Sequence, residues 1–258
     1  MWPAKKKKEV MKLLKHFVRT DIGKIRAENQ DNYYMPNAND GMVLYIIADG
    51  MGGCNGGKIA SSLAVKSVSK YMSDNFEETQ DVREAILELI RDSIKYANMT
   101  VYEKSKTDID LDGMGTTLDV VLIYNNKIYI GHVGDSRVYR IRKNIIRKLT
   151  KDHSYVEKLV ADGTITRRES YNHPKKNMLT KAVGCALYLE PDLIVKKIEK
   201  DDVLLMCTDG LSNMIKDGEI YDVIMKNKND LDKGISTLVK KANDAGGVDN
   251  ITAIIVQN

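Results

Sequence analysis

The chain has 258 residues, 43% apolar and 29% charged, enough for a sizeable core and unlike the composition of a disordered segment. Its 40 basic and 36 acidic side chains leave a formal charge of +4, which argues against nucleic-acid binding, and much of the excess lies in a basic N-terminal extension over residues 1–15. Cys54, Cys185 and Cys207 lack the spacing of a zinc site or a disulfide framework, and no apolar run nears the ~20 residues that span a bilayer, so the chain reads as cytoplasmic, unexported and without stable membrane insertion.

Val10, Leu13, Leu14, Phe17 and Val18 are spaced for a short basic amphipathic helix, but Phe17, Val18 and Arg19 running into Thr20 and Asp21 suit an edge strand better. Further strands are expected at about 42–48, 117–124, 127–133, 136–142, 193–198, 202–207 and 251–256, where β-branched and apolar residues cluster. Asn125-Asn126 and Lys143-Asn144 are short enough for hairpin turns, so much of the sheet should be antiparallel. Helical periodicity marks about 57–74 and 80–105, with shorter helices at about 153–162, 217–227 and 231–244. The charged stretch 152–177, which includes Arg167, Arg168, Lys175 and Lys176, reads as an excursion above the rest of the fold. Helices grouped between hairpins indicate layers within one domain spanning 1–258.

Four aspartates stand at the ends of apolar runs: Asp49, Asp135, Asp209 and Asp249, with Asp31 in RAENQDN as a fifth. Any one of them is best explained as a turn residue bonding its own backbone. Five in separate parts of the chain point instead to carboxylates converging on a hard, oxygen-preferring cation.

GGCNGGKIA after the 42–48 strand nearly spells a phosphate-cradling P-loop, but Ile59 stands where a magnesium-binding hydroxyl is needed. The glycines serve equally to turn the chain sharply after Asp49 and to expose the Gly50 carbonyl as a further oxygen donor.

Taken in order, Arg26-Ala-Glu-Asn-Gln-Asp31, Asp49-Gly-Met-Gly-Gly, Gly115-Thr-Thr, Gly134-Asp-Ser-Arg, Thr208-Asp-Gly-Leu and Asp249-Asn-Ile-Thr resemble the metal-dependent PP2C-type (PPM) protein serine/threonine phosphatases, particularly their bacterial branch. The resemblance covers nearly the whole chain. It implies an α+β fold: a four-layer α-β-β-α sandwich with two mainly antiparallel central sheets and a flap subdomain over 152–177. It also implies a centre of two Mn2+ or Mg2+ ions, with Asp49 bridging them, Asp209 and Asp249 completing one sphere, and the Gly50 carbonyl serving the other. Asp135, with Asp209, matches a third, weaker metal site.

The implied chemistry is hydrolysis of phosphoserine and phosphothreonine in proteins by a hydroxide bridging the two ions. Arg26 would grip phosphate oxygens through its planar fork, and Asp31, acceptor-only when ionised, would orient the attacking water. Asn29 and Gln30 read as local hydrogen-bonding residues. The expected partners are phosphorylated proteins and a cognate bacterial Ser/Thr kinase, and the chain is expected to be a monomer. A phosphatase dedicated to one regulatory phosphoprotein is a variant of the same reading.

Many bacterial relatives read DGMGGH followed by Gly-Glu, whereas Cys54 and Gly57-Lys58 stand here, so the residue that protonates the leaving alkoxide is open. A thiol with an ordinary pKa of about 8.5 is a poor substitute for histidine, and it would make the site oxidation-sensitive. His132 and His153 carry no assigned role. Two other readings remain: a catalytically silent phosphoprotein-binding module of the same fold, and a P-loop-like nucleotidase.

Overall fold

Two antiparallel sheets lie face to face in the computed structural model, which describes residues 14–36, 42–76 and 82–258. The strands are β1 (Lys15–Asp21), β2 (Asp31–Tyr34), β3 (Val43–Met51), β4 (Gly115–Thr116), β5 (Leu118–Tyr124), β6 (Lys127–Val133), β7 (Arg137–Arg142), β8 (Ile145–Lys148), β9 (Asp192–Lys197), β10 (Val203–Cys207) and β11 (Ile251–Gln257). One sheet has the order β1-β11-β10-β7-β8, the other β2-β3-β5-β6-β9, with β4 paired to β3. Described pairings between these strands are all antiparallel, as the short turns led one to expect. Asn125 and Asn126 (φ 48° and 56°) and Lys143 and Asn144 (φ 47° and 63°) take the left-handed pairs that two-residue hairpins require.

Alternate residues of each strand serve two different cores, which is why these segments read as unbroken apolar runs. Val43, Tyr45 and Ile47 meet Leu204, Met206, Ile254 and Val256 between the sheets. Their neighbours Leu44, Ile46 and Ala48 face the other way, onto α1 (Gly53–Asn75) and α2 (Arg83–Thr107), through Ala64, Val68, Ile90 and Ile94. Leu205, Ile251, Ala253 and Ile255 likewise cover Ile220, Ile224, Ile235 and Leu238. Those side chains come from α6 (Asp217–Lys226) and α7 (Leu231–Asp244). Helices therefore cover both outer faces, giving the expected four layers, and each buried Val, Leu or Ile contributes about 1.5–3 kcal/mol.

The shorter helices are α3 (Tyr155–Ala161), α4 (Arg167–Ser170) and α5 (Asp209–Ser212). Ser154 caps α3 and a Thr166–Glu169 capping box starts α4. Arg167 is not a free surface cation, because its guanidinium grips the buried Glu157 carboxylate.

The lead-in before β1 is partly visible. Leu14 is buried between the sheets, and Phe17 and Val18 pack against the cores, so this stretch is strand as expected; Val10 and Leu13 lie outside the described residues. Among the described residues, no helix is long and apolar enough to cross a membrane.

Candidate active site

Antiparallel register carries the five acids to one end of the sandwich. In the six-stranded sheet Asp31 pairs directly opposite Asp49. In the five-stranded sheet Cys207 pairs with both Arg137 and Ala253. Asp135 just before β7, Asp209 just after β10 and Asp249 just before β11 therefore leave that sheet at the same end. The two sheets are stitched there by Thr208, whose Oγ1 donates to Asp31 Oδ2 at 2.9 Å. Thr117 ties in the third group, accepting from the Asp49 amide (2.9 Å) and lying 2.8 Å from Ser136 Oγ, next to Asp135.

Gly50 and Gly57 explain the glycine-rich turn. A Cβ on Gly50 would fall 2.1 Å from the Gly57 carbonyl oxygen, and one on Gly57 2.7 Å from the Gly50 carbonyl carbon. The turn after Asp49 thus packs backbone on backbone against α1, which only glycine permits. It begins at Gly53, four residues before the predicted start, because this packing overrides the poor helix propensity of glycine. Lys58 consequently sits in the second turn of α1, pairing with Glu28 at 2.5 Å, rather than at the helix N-terminus where a phosphate-cradling lysine belongs.

Each of the five acids is only half-buried in area, yet protein closes round the carboxylates tightly enough for burial to be the leading influence on four of them. Burial pushes Asp31 up to about 7; the Thr252 and Thr208 hydroxyls pull against it, and Asp209 and Asp249 add to it. Burial, then Asp209 and Asp152, pushes Asp135 up to about 8. Burial and then Asp249 raise Asp209 to about 6, while burial followed by Asp31, Asp209, Asp135 and Asp249 raises Asp49 well above the carboxylate range. Asp209 is among the charges that raise Asp49, a crowding that a shared proton or a cation relieves.

Two buried carboxylate oxygens, Asp31 Oδ1 and Asp209 Oδ1, have no hydrogen-bond partner. Crowded acids with orphaned oxygens are the environment a hard cation relieves. Among the described residues, no three His, Cys, Asp or Glu side chains form a ready-made chelate for one ion. That suits a small divalent cation which takes one or two carboxylates and keeps several waters, rather than a metal caged wholly by protein.

Arg26 is half-exposed at the rim, its Nη2 2.7 Å from Asp249 Oδ2. Asn29 behaves as expected, its Oδ1 accepting from the Asp31 amide at 3.1 Å. Asn250, to which the sequence reading gave no role, is the main staple of the loop: its Oδ1 accepts from the Gln30 amide (2.8 Å) and its Nδ2 donates to the carbonyls of Ile22 and Glu28. Thr117, Thr208 and Thr252 were equally unassigned; their one signal was recurrence of threonine inside the acidic motifs. Met114 and Met206 are core residues. The side chain of Cys54 lies outside the described residues.

The family model described as "Protein phosphatase 2C" matches residues 25–242. The serine/threonine phosphatase stp of Listeria welshimeri is 39% identical over 241 residues, covering 93% of this chain and 94% of that protein. Among solved structures, the Streptococcus agalactiae serine/threonine phosphatase superposes with a TM-score of 0.87 at 38% identity, covering 95% of this chain and 99% of that one. The catalytic domain of the serine threonine protein phosphatase PstP, in complex with two manganese ions, gives a TM-score of 0.82 at 29% identity over 95% and 97% of the two chains. The fold is thus the one seen in solved serine/threonine phosphatases. The chain belongs to the protein phosphatase 2C family, as a serine/threonine phosphatase of its bacterial branch.

Proposed function

We propose that this enzyme removes phosphate from phosphoserine and phosphothreonine in proteins with the help of two divalent cations, Mn2+ or Mg2+, held at the acidic end of the sandwich. The observation that carries this is the convergence of Asp31, Asp49, Asp135, Asp209 and Asp249, with orphaned oxygens on Asp31 and Asp209. The PstP neighbour bound to two manganese ions supports the choice of cation. Asp49 would be shared between the two ions, Asp209 and Asp249 would hold one, the Gly50 carbonyl would hold the other, and Asp135 with Asp209 would provide a weaker third site. When bound, such cations acidify water and neutralise charge on the phosphate.

The chain's own residues then have distinct tasks. Arg26 exchanges its contact with Asp249 for two oxygens of the phosphate dianion, which its planar fork matches. Asp31 Oδ1, already buried and unpartnered, accepts a hydrogen bond from the attacking water and orients it, while Thr208 fixes the other carboxylate oxygen. Water oxygen bonds to phosphorus, the bond from phosphorus to the serine or threonine oxygen breaks, and the products are inorganic phosphate and the free hydroxyl. Residues 152–177 would act as a flap beside this end. A monomer acting in the cytoplasm, opposite a Ser/Thr kinase that supplies its substrates, fits this reading.

Hydrolysis of a phosphothreonine peptide with Mn2+, with Mg2+ and with chelator tests it, comparing the wild type with Asp209→Asn. Metal-dependent release that disappears in the variant is expected. A folded wild type that binds the peptide and releases nothing under any metal condition would move the assignment to a silent binding module.

A further inference from the structure

The turn that carries Asp135 is held from two sides. On one side is Thr117, 2.8 Å from Ser136 Oγ and so close to Gly134 (φ +108°) that a Cβ there would lie 2.6 Å from the threonine side chain. On the other is His153. Its backbone N–H donates to the Gly134 carbonyl at 2.7 Å, and its ring Nδ1 accepts from the Gly134 N–H at 3.1 Å. Both polar backbone groups of this one glycine are therefore claimed by one histidine.

The direction of the second bond settles the ring's proton. Nδ1 accepts, so the proton of the neutral ring sits on Nε2, which lies 3.2 Å from Asp192 Oδ2 of β9 but at an angle that makes no hydrogen bond. Burial, followed by the neighbouring His132, lowers the His153 pKa to about 4, consistent with a neutral ring. His132 stacks on it with ring centroids 4.7 Å apart. His132 is itself fixed by Asp119 Oδ1 (2.5 Å) and the Lys151 carbonyl (2.9 Å). Asp152, the preceding residue, holds the far side of the same turn through Arg137 Nη2 at 2.7 Å.

His153 also stands at the base of the 152–177 excursion. Its carbonyl accepts from the Thr180 N–H, and the Tyr155 N–H donates to Met178, each at 2.8 Å. A side chain that only filled space would need no defined acceptor.

We propose that His153 is a positioning residue for Asp135: its Nδ1 fixes the Gly134 amide, and with it the orientation of the Asp135 turn, while its backbone joins that turn to the base of segment 152–177. The proposal rests on the phosphatase reading, because it concerns the same site.

Two substitutions separate acceptor from bulk. His153→Asn places an amide oxygen near the position of Nδ1, whereas His153→Gln keeps more of the volume and the reach toward Asp192 but has no acceptor there. Three quantities are read on each folded protein: hydrogen exchange at the Gly134 amide in the metal-free state, kcat and KM on a phosphothreonine peptide, and the Mn2+ concentration for half-maximal rate. His153→Gln should speed Gly134 exchange, lower kcat by about 10–100-fold with KM for the peptide unchanged, and raise the Mn2+ requirement, as loss of a supporting hydrogen bond does at metal sites. His153→Asn should retain all three values near wild type, and His153→Gln should have no further effect on kcat in an Asp135→Asn background. Equal losses in the two variants, unchanged Gly134 exchange in His153→Gln, or additive effects with Asp135→Asn would overturn the assignment. A wild type that releases no phosphate would sink the phosphatase reading instead, and the exchange comparison would still decide the role of His153.

Discussion

Replacing Asp31 by Asn should stabilise the metal-free protein while abolishing its activity. Asp31 is held at a pKa of about 7 against 3.8 for an ordinary aspartate, chiefly by burial and further by Asp209 and Asp249. Below pH 3.8 the carboxyl is protonated in both the folded and the unfolded chain, and it makes no difference to stability. Between 3.8 and about 7 the unfolded chain gives up the proton and the folded one retains it, so stability falls as pH rises. Above that window both states are ionised and the full penalty persists. A shift of this size corresponds to about 4 kcal/mol, and coupling to neighbouring acids and water in the half-open cleft reduce it to about 1–3 kcal/mol for one residue. The amide oxygen of asparagine can still accept from Thr208, so the main change is loss of the charge. Urea unfolding at pH 4.5 and pH 8, with chelator, measures the difference. The variant should gain stability at pH 8 and little at pH 4.5, and added Mn2+ should stabilise the wild type more than the variant. A wild type whose metal-free stability is flat across this range, or a variant no more stable at pH 8, would refute the claim that these carboxylates are crowded.

Arg26→Lys keeps the positive charge but loses the fork now 2.7 Å from Asp249, and kcat/KM on a phosphopeptide should fall about 10–100-fold, the value of a charged hydrogen bond of 1.5–3 kcal/mol; an unchanged rate would remove Arg26 from phosphate binding. Gly50→Ala puts a Cβ 2.1 Å from the Gly57 carbonyl, so denaturant curves should show a loss of about 1–3 kcal/mol together with loss of metal-dependent hydrolysis. Lys58→Ala should leave phosphopeptide hydrolysis intact and cost about 0–1 kcal/mol, because Lys58 only meets Glu28 on a largely exposed surface. Hydrolysis that instead vanished with Lys58 would revive the phosphate-cradling loop.

Much of the fold is legible because strands buried on both faces leave continuous apolar runs. VLYIIA and ITAIIV announce themselves, and Asn125-Asn126 announces the hairpin between β5 and β6. The segments that escaped include β2, β4, β8, α4 and α5, each two to four residues long and so too short to show a period of their own. The acids were visible one by one, since each follows or precedes an apolar run. Their repetition pointed to convergence, but the geometry that brings it about was not visible, because it depends on register: nothing local to Cys207 says that Arg137 and Ala253 will flank it. Asn250 and His153 went unassigned for a related reason. Each acts by binding backbone groups far along the chain, such as Ile22 and Gly134, and a side chain that bonds distant backbone leaves no periodic trace in its own segment.

Strand register is also what lets the acidic end exist at all. Carboxylates this close repel one another, and a flexible loop would relax by turning them outward into water. Here every acid is anchored within two residues of a paired strand, and the anchors are themselves pinned: Asp49 by Thr117, Asp31 by Thr208, the Asp249 loop by Asn250, the Asp135 turn by His153 and Asp152. Uncharged hydrogen-bonding groups bear most of that holding, so the local negative charge is left for something else to neutralise. The two large cores supply the stability that offsets the repulsion, with Ile46, Ile90 and Ile94 fully buried on one side and Leu205, Ile235 and Leu238 on the other. A site of this kind is strained without its cation and relaxed with it, so cation affinity and metal-free instability should change together when any one acid is neutralised.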